Sequence, residues 1–138
     1  MADELDIISI GDSTIDVFLE VDLRDTEEIK SKDGQKHQIA FAYGAKIPVK
    51  KMTRVPGVGN AANNAVGSVR LGLNAGIYTV IGSDRESQEI KEVLEKDDVD
   101  TSLVVMESGK RSNFSGVINY GPERNIFVYH EDRKYDLP

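Results

Sequence analysis

The chain has 138 residues, enough for one domain that buries roughly two-thirds of the surface its unfolded form exposes. Its 17 Lys and Arg are outnumbered by 24 Asp and Glu, for a net charge of −7, which argues against a nucleic-acid partner. No apolar run approaches the roughly 18 residues that span a bilayer. The start "MADELDIISIGD" lacks the features of a signal peptide, and cysteine is absent, so the expectation is a cytoplasmic protein without disulfides, thiolate metal sites or thiol nucleophiles.

"LDIISIG", Leu5 to Gly11, is a short apolar run that suits a strand buried on both faces of a parallel sheet. "TIDVFLEVDL" continues extended, alternating Ile15, Val17, Leu19 and Val21 with polar partners. The charged "RDTEEIKSKDGQK" reads as a solvated loop. In "HQIAFAYGAKIPVKKMTRV", Ile39, Phe41 and Tyr43 alternate as in a short edge strand or flap, which Gly44 and Pro48 interrupt. From Asn60 the period becomes helical, with Ala62, Ala65, Val66 and Val69 in one stripe and Gly72 as the stop. "AGIYTVIGSD" is a second buried strand. Ser83 to Glu86 then matches a capping box, opening a helix with Ile90, Val93 and Leu94 inward and a Glu92/Lys96 pair outward. "SLVVME" is a further strand, and "FSGVINY" with "NIFVYH" forms a hairpin around Gly121-Pro122. Asn113-Phe114-Ser115 matches the glycosylation pattern by chance, and His37 and His130 offer no metal cluster. This order implies an α/β layer plus a small β-sheet. With two helices, the chain looks cut off as a doubly wound sheet.

The chemistry concentrates at "VPGVGNAANNAVGSVRLG", Val55 to Gly72, where glycine and asparagine crowd a helix start that they would disfavour. Gly57-Val58-Gly59-Asn60-Ala61-Ala62 satisfies G-x-G-x-x-A, with Asp84 near where a dinucleotide-binding acid would sit. Against that reading, "VKKMTRVP" is basic and ends in proline, whereas the fingerprint needs a buried apolar strand. A bland alternative is close packing of a small-residue helix. Neither explains Asn60, Asn63 and Asn64, which fall in the first turns, where free backbone amides attract oxygen-rich groups. An amide both donates and accepts, which suits a neutral polyol. In "GDSTID", Asp12 reads as a turn or capping residue and Asp16 as a ligand contact, both near the carboxyl edge where open α/β sheets bind ligands.

"DIISIGDSTID" followed by "GVGNAANNAVGSVRLG" resembles the N-terminal half of the PfkB/ribokinase carbohydrate kinases, whose signature runs glycine-glycine, Asn-x-Ala and Arg-Leu-Gly. The resemblance covers the whole chain. It implies an α/β, Rossmann-like ribokinase fold, partial here, with a small β-sheet lid whose strands fall approximately within residues 15–50 and 113–130. It further implies that Asp16 and Asn63 bind sugar hydroxyls, that Gly59, Asn60 and Thr14 line the sugar pocket, and that Phe41 and Tyr43 belong to the lid. Val58 departs from the family, standing where the first glycine of the pair usually is. The family's second signature, Asp-Thr-x-Gly-Ala-Gly-Asp, holds the catalytic base and anion hole, and Asn-x-x-Glu lies near its magnesium site; neither occurs in this sequence.

The expected activity is therefore that of an ATP-dependent sugar or nucleoside kinase of which this chain is the N-terminal, sugar-binding part, itself inactive. ATP and Mg2+ are implied as cofactors with most of their site in a C-terminal half outside these residues, and homodimerisation is expected through the lid strands. The alternatives are a non-catalytic binding or dimerisation fragment and, more remotely, a dinucleotide-binding domain.

Overall fold

The structure, a computed structural model, describes residues 4–22, 24 and 26–137. Among them the elements run β1 (Ile7–Ile10), β2 (Thr14–Val21), β3 (Glu27–Lys30), β4 (His37–Ala40), β5 (Val49–Val58), α1 (Asn60–Arg70), β6 (Ala75–Ile81), α2 (Arg85–Lys96), β7 (Val104–Met106), β8 (Asn113–Tyr120) and β9 (Glu123–Tyr129). Two compact units result. The first comprises Met1–Asp16, Arg54–Ser115 and Val128–Pro138, the second Val17–Thr53 and Gly116–Phe127. Among the described residues, no helix is long and apolar enough to cross a membrane.

The first unit holds a parallel sheet in the order β1-β6-β7, with Ser9 beside Ile77 and Thr79 beside Val104. β6 is buried along its whole length, as its apolar run predicts. Ser9 Oγ donates to Asn64 Oδ1 of α1 at 2.7 Å, and Gln88 of α2 reaches the Met106 sulfur at 3.8 Å. Both helices therefore lie on the face carrying Ser9, Ile77 and Ile81. Side chains alternate along a strand, so Ile8, Ile10, Tyr78 and Val105 point to the other face. There Ile8 is 44% and Ile10 57% exposed, so the expectation of a first strand buried on both faces is corrected. The reason is positional: β1 is an edge strand and helices cover one of its faces.

α1 ends as its sequence predicts. Gly72 has φ +91, its N–H donates to Val69 O at 2.8 Å, and the Leu73 N–H donates to Ser68 O at 3.1 Å, the paired bonds of a Schellman stop. Its buried stripe is Ala61, Ala62, Ala65 and Ser68, shifted from the predicted one because small residues let the helix approach the sheet closely, while Val66 and Val69 are half-buried. α2 buries Ile90 and Leu94, but its outward pairs are Arg85–Glu89 and Lys91–Glu95, not Glu92/Lys96.

In the second unit β3 and β4 pair antiparallel, with Glu27 opposite Ala40 and Lys30 opposite His37. The charged segment expected to be a loop thus contains a strand. All four β3 residues are exposed, so no apolar alternation marks it. β4 stops at Ala40, leaving Phe41 and Tyr43 in the following loop. A four-stranded sheet runs in the order β5-β2-β8-β9. β5 carries "VKKMTRVP" as a strand, but not as the buried apolar one that a dinucleotide fingerprint needs. It is exposed over its first six residues, which explains how a basic, Pro56-containing sequence can be extended without being buried.

Candidate functional site

The chain leaves β1 at its carboxyl end through Gly11-Asp12-Ser13 and enters β2 at Thr14. Gly59, the residue capping α1, sits against this loop with φ +111 and ψ 166, a conformation that side chains rarely adopt. A Cβ on Gly59 would stand 2.8 Å from the Asp12 carbonyl oxygen. The turn before α1 is therefore glycine because two backbones meet there.

The two helices begin differently. At α2 the cap is Asp84, not the predicted Ser83: the Asp84 carboxylate accepts from the Ser87 N–H at 3.1 Å, while Ser83 Oγ accepts from the Gly109 N–H at 3.0 Å. Asp84 also accepts from the Ser112 N–H and hydroxyl, both at 2.7 Å. Burial works to raise its pKa, yet these donors together hold it below the usual carboxylate range. α1, in contrast, has no side-chain cap and no acidic residue in its first turn. Asn60 and Asn63 lie there, both exposed, with the Asn63 N–H donating to Gly59 O at 2.8 Å. Asn64 is tied to Ser9 and holds the helix to the sheet.

Asp16, in β2, is half-buried, and its Oδ1 is shielded from solvent without a hydrogen-bond partner among the described residues. Thr14 donates to the Ile15 carbonyl at 3.5 Å, a long contact. The structure thus brings Gly59, Asn60 and Asn63 together at one turn. Phe41 and Tyr43 belong to the second unit, where Phe41 lines a cavity of about 370 Å3 with Tyr120, Asn125 and Phe127, while Tyr43 is fully exposed.

Sequence reasoning missed a second cluster. Asp12 lies in the β1–β2 connection, but its side chain reaches beyond it: its Oδ1 accepts from Asn113 Nδ2 and the Tyr135 hydroxyl, both at 2.9 Å, and its Oδ2 faces His130 Nδ1 at 3.4 Å. Asn113 Oδ1 in turn accepts from the Glu131 N–H at 3.0 Å. The Tyr78 hydroxyl donates to the Asp136 carbonyl at 2.7 Å, and the Tyr78 and Tyr135 rings meet edge-on with centroids 6.2 Å apart. Burial, then the hydrogen bond to Asp12, push the Tyr135 pKa up to about 12. These contacts strap residues 130–137 to the end of β1 around a cavity of about 490 Å3. No local signal marks them, since Asp12 is 101 residues from Asn113 and 123 from Tyr135.

The dinucleotide-binding alternative is not supported. β5, which feeds the glycine turn, lies outside the parallel sheet, and Asp84 is occupied as a helix cap.

The sequence model for pfkB family carbohydrate kinases matches residues 6–136. No curated protein matches. Among solved structures, the chain is similar to a ribokinase from Cryptococcus neoformans var. grubii in complex with ADP (TM-score 0.68, 18% identity, 91% of this chain and 35% of that one). It is also similar to Arabidopsis thaliana ribokinase complexed with ribose and ATP (0.67, 16%, 91% and 36%). A third likeness is to a sugar kinase from Pyrococcus horikoshii in complex with ATP (0.61, 27%, 89% and 33%). The chain spans about a third of the length of each.

Proposed function

The chain belongs to the pfkB family of carbohydrate kinases, and on that premise we propose that it is the N-terminal, substrate-binding part of a cytoplasmic, ATP-dependent kinase that transfers the γ-phosphate to a hydroxyl of a sugar or nucleoside. The observation that carries this reading is Asp16 Oδ1, buried without a partner. Leaving a buried polar atom unsatisfied costs about 1–3 kcal/mol, and more for a charged one. A ligand hydroxyl donating to that oxygen removes the cost.

The open start of α1 adds to this reading. Asn63 would donate to and accept from a ligand hydroxyl, Asn60 and Gly59 would line its approach, and the long contact of Thr14 leaves its hydroxyl able to turn to a ligand. The residues present do not fit ATP and Mg2+. No group of three metal-ligating side chains occurs among the described residues. Lys110 lies 3.0 Å from Glu107 and also reaches the Asp132 carbonyl, and Arg133 reaches Glu107 and the Arg111 carbonyl through its Nη atoms, so Glu107 offsets the charge of both cations. The nucleotide and catalytic base are therefore assigned to a C-terminal half outside this sequence, and no chemical step is derived from these residues. The second unit would act as the lid, with Phe41 and Tyr43 in it.

A second reading, a non-catalytic or dimerising fragment, is favoured by edge strand β9, where Ile126 is 50% and Phe127 62% exposed. Such an edge invites pairing with a second copy through the lid strands. Titration calorimetry with D-ribose, D-fructose and adenosine, beside an ADP-release assay, separates the readings. Polyol binding that Asp16→Ala abolishes, without turnover by this chain alone, is expected. Turnover by the chain alone, or binding indifferent to Asp16→Ala, would refute the proposal.

A further inference from the structure

Resting on the same substrate-binding reading, we propose that Asp12 and His130 form a further hydroxyl-recognition pair, in which His130 Nε2 accepts a hydrogen bond from a polyol hydroxyl. The pair lines the cavity of about 490 Å3 at the carboxyl end of β1, within the usual size range of small-molecule sites. Asp12 is also the residue whose carbonyl Gly59 faces, so it borders both the cavity and the glycine turn of α1.

The argument follows from how the Asp12 carboxylate is shared. Oδ1 already accepts from Asn113 and Tyr135, which fixes the plane of the group and leaves Oδ2 for His130 Nδ1, 3.4 Å away. A carboxylate on that side keeps the imidazole proton on Nδ1 and makes Nε2 the acceptor. The His130 side chain is 59% exposed and lines the cavity. The other histidine differs: His37 Nε2 already lies 3.2 Å from Glu28.

The rest of the lining selects the class of ligand. Glu131 and Asp132 add carboxylates beside Asp12, and Arg133, 2% exposed, reaches Glu107 and the Arg111 carbonyl through its Nη atoms while its Nε has no partner among the described residues. The carboxylates take hydroxyl donors. The cavity thus suits the hydroxyls of a sugar or nucleoside.

The test combines nitrogen-15 NMR of the imidazole with calorimetric titration of D-ribose, D-fructose and adenosine into the chain and its His130→Phe, His130→Gln and Asp16→Ala variants. The expected spectrum shows neutral His130 protonated on Nδ1, with Nε2 shifting as a polyol binds. His130→Phe is expected to weaken that polyol roughly three- to tenfold, the loss of one hydrogen bond, while His130→Gln, whose carboxamide oxygen accepts, loses less. A proton on Nε2, or unchanged affinity in both His130 variants while Asp16→Ala weakens binding, overturns this inference and leaves the substrate-binding reading intact. If Asp16→Ala is also silent, or no probe binds, both fail.

Discussion

Alanine placed at Gly59 and at Gly67 should move stability in opposite directions, because the two glycines are present for different reasons. At Gly59 the backbone has φ +111 and ψ 166, and an added Cβ would meet the Asp12 carbonyl oxygen at 2.8 Å. Occupying that backbone region with a side chain costs about 1–3 kcal/mol, and forcing an extra methyl into a filled site costs about 1–3 kcal/mol more. The loop has little room to retreat: the Gly11 N–H donates to Tyr78 O at 3.1 Å, and Asp12 is pinned by Asn113 and Tyr135. The loss of unfolded-state freedom on replacing glycine returns about 0.4–1 kcal/mol, so a net loss of about 1–5 kcal/mol is expected. That is a large part of the roughly 7–20 kcal/mol that a chain of this length commands. Gly67 sits in the interior of α1 with open space around it, so Gly67→Ala should add about 0.5–1 kcal/mol. Urea unfolding followed by circular dichroism, with unchanged m-values, measures both. A Gly59→Ala loss below about 0.5 kcal/mol would refute the claim that backbone contact dictates the glycine.

Asp84→Ala removes the α2 cap and leaves the buried Ser112 N–H without its acceptor, so urea unfolding should show a loss of about 2–4 kcal/mol. Because the folded-state pKa of Asp84 is depressed, its contribution is present above the unfolded value near 3.9 and lost as pH falls through the folded one; acid unfolding of Asp84→Ala should be correspondingly less steep. Tyr135 has a raised pKa of about 12, so its contribution is complete below the unfolded value near 10 and lost as pH rises toward 12. In alkaline melts Tyr135→Phe should start lower by about 1 kcal/mol and decline less. Asn63→Ala, at an exposed position, should change stability by less than about 0.5 kcal/mol while weakening polyol binding several-fold in calorimetry.

What could be read from the sequence was set by periodicity and by backbone chemistry. β6 announced itself by seven consecutive buried positions, and Gly72 by its place after the last helical residue. β3 and β5 did not, because a strand exposed on both faces carries no clean alternation: Glu27–Lys30 and the start of Val49–Val58 mix charged residues with exposed Ile29, Val49 and Met52. The cap at Asp84 was displaced by one residue because Ser83 and Asp84 are both good capping residues, and the pairing of Asp84 with Ser112, 28 residues on, decided between them. At the candidate site, local chemistry marked Gly59, Asn60, Asn63 and Asp16. Asp12, Asn113, His130 and Tyr135 could not be grouped, since each is unremarkable in its own segment and only the fold brings the four together.

The contrast between the helix starts explains why α1 begins on glycine and asparagine. At α2 the chain spends one carboxylate on the orphan amides and on Ser112, and the end is closed. The same solution at α1 would place an acidic side chain where the Gly59 backbone already touches Asp12, and it would occupy the amides that a ligand needs. Glycine resolves the contact, and Asn64 repairs part of the lost stability by accepting from Ser9 and fixing the helix to β1. Asn60 and Asn63 stay exposed, free to answer a hydroxyl. If that division is right, an engineered cap should separate stability from binding. Asn60→Asp, which adds charge to the first turn, should stabilise the helix by about 0.3–1 kcal/mol and yet weaken polyol binding. A variant that gained stability and kept its affinity would show that the open helix start has no part in holding the ligand.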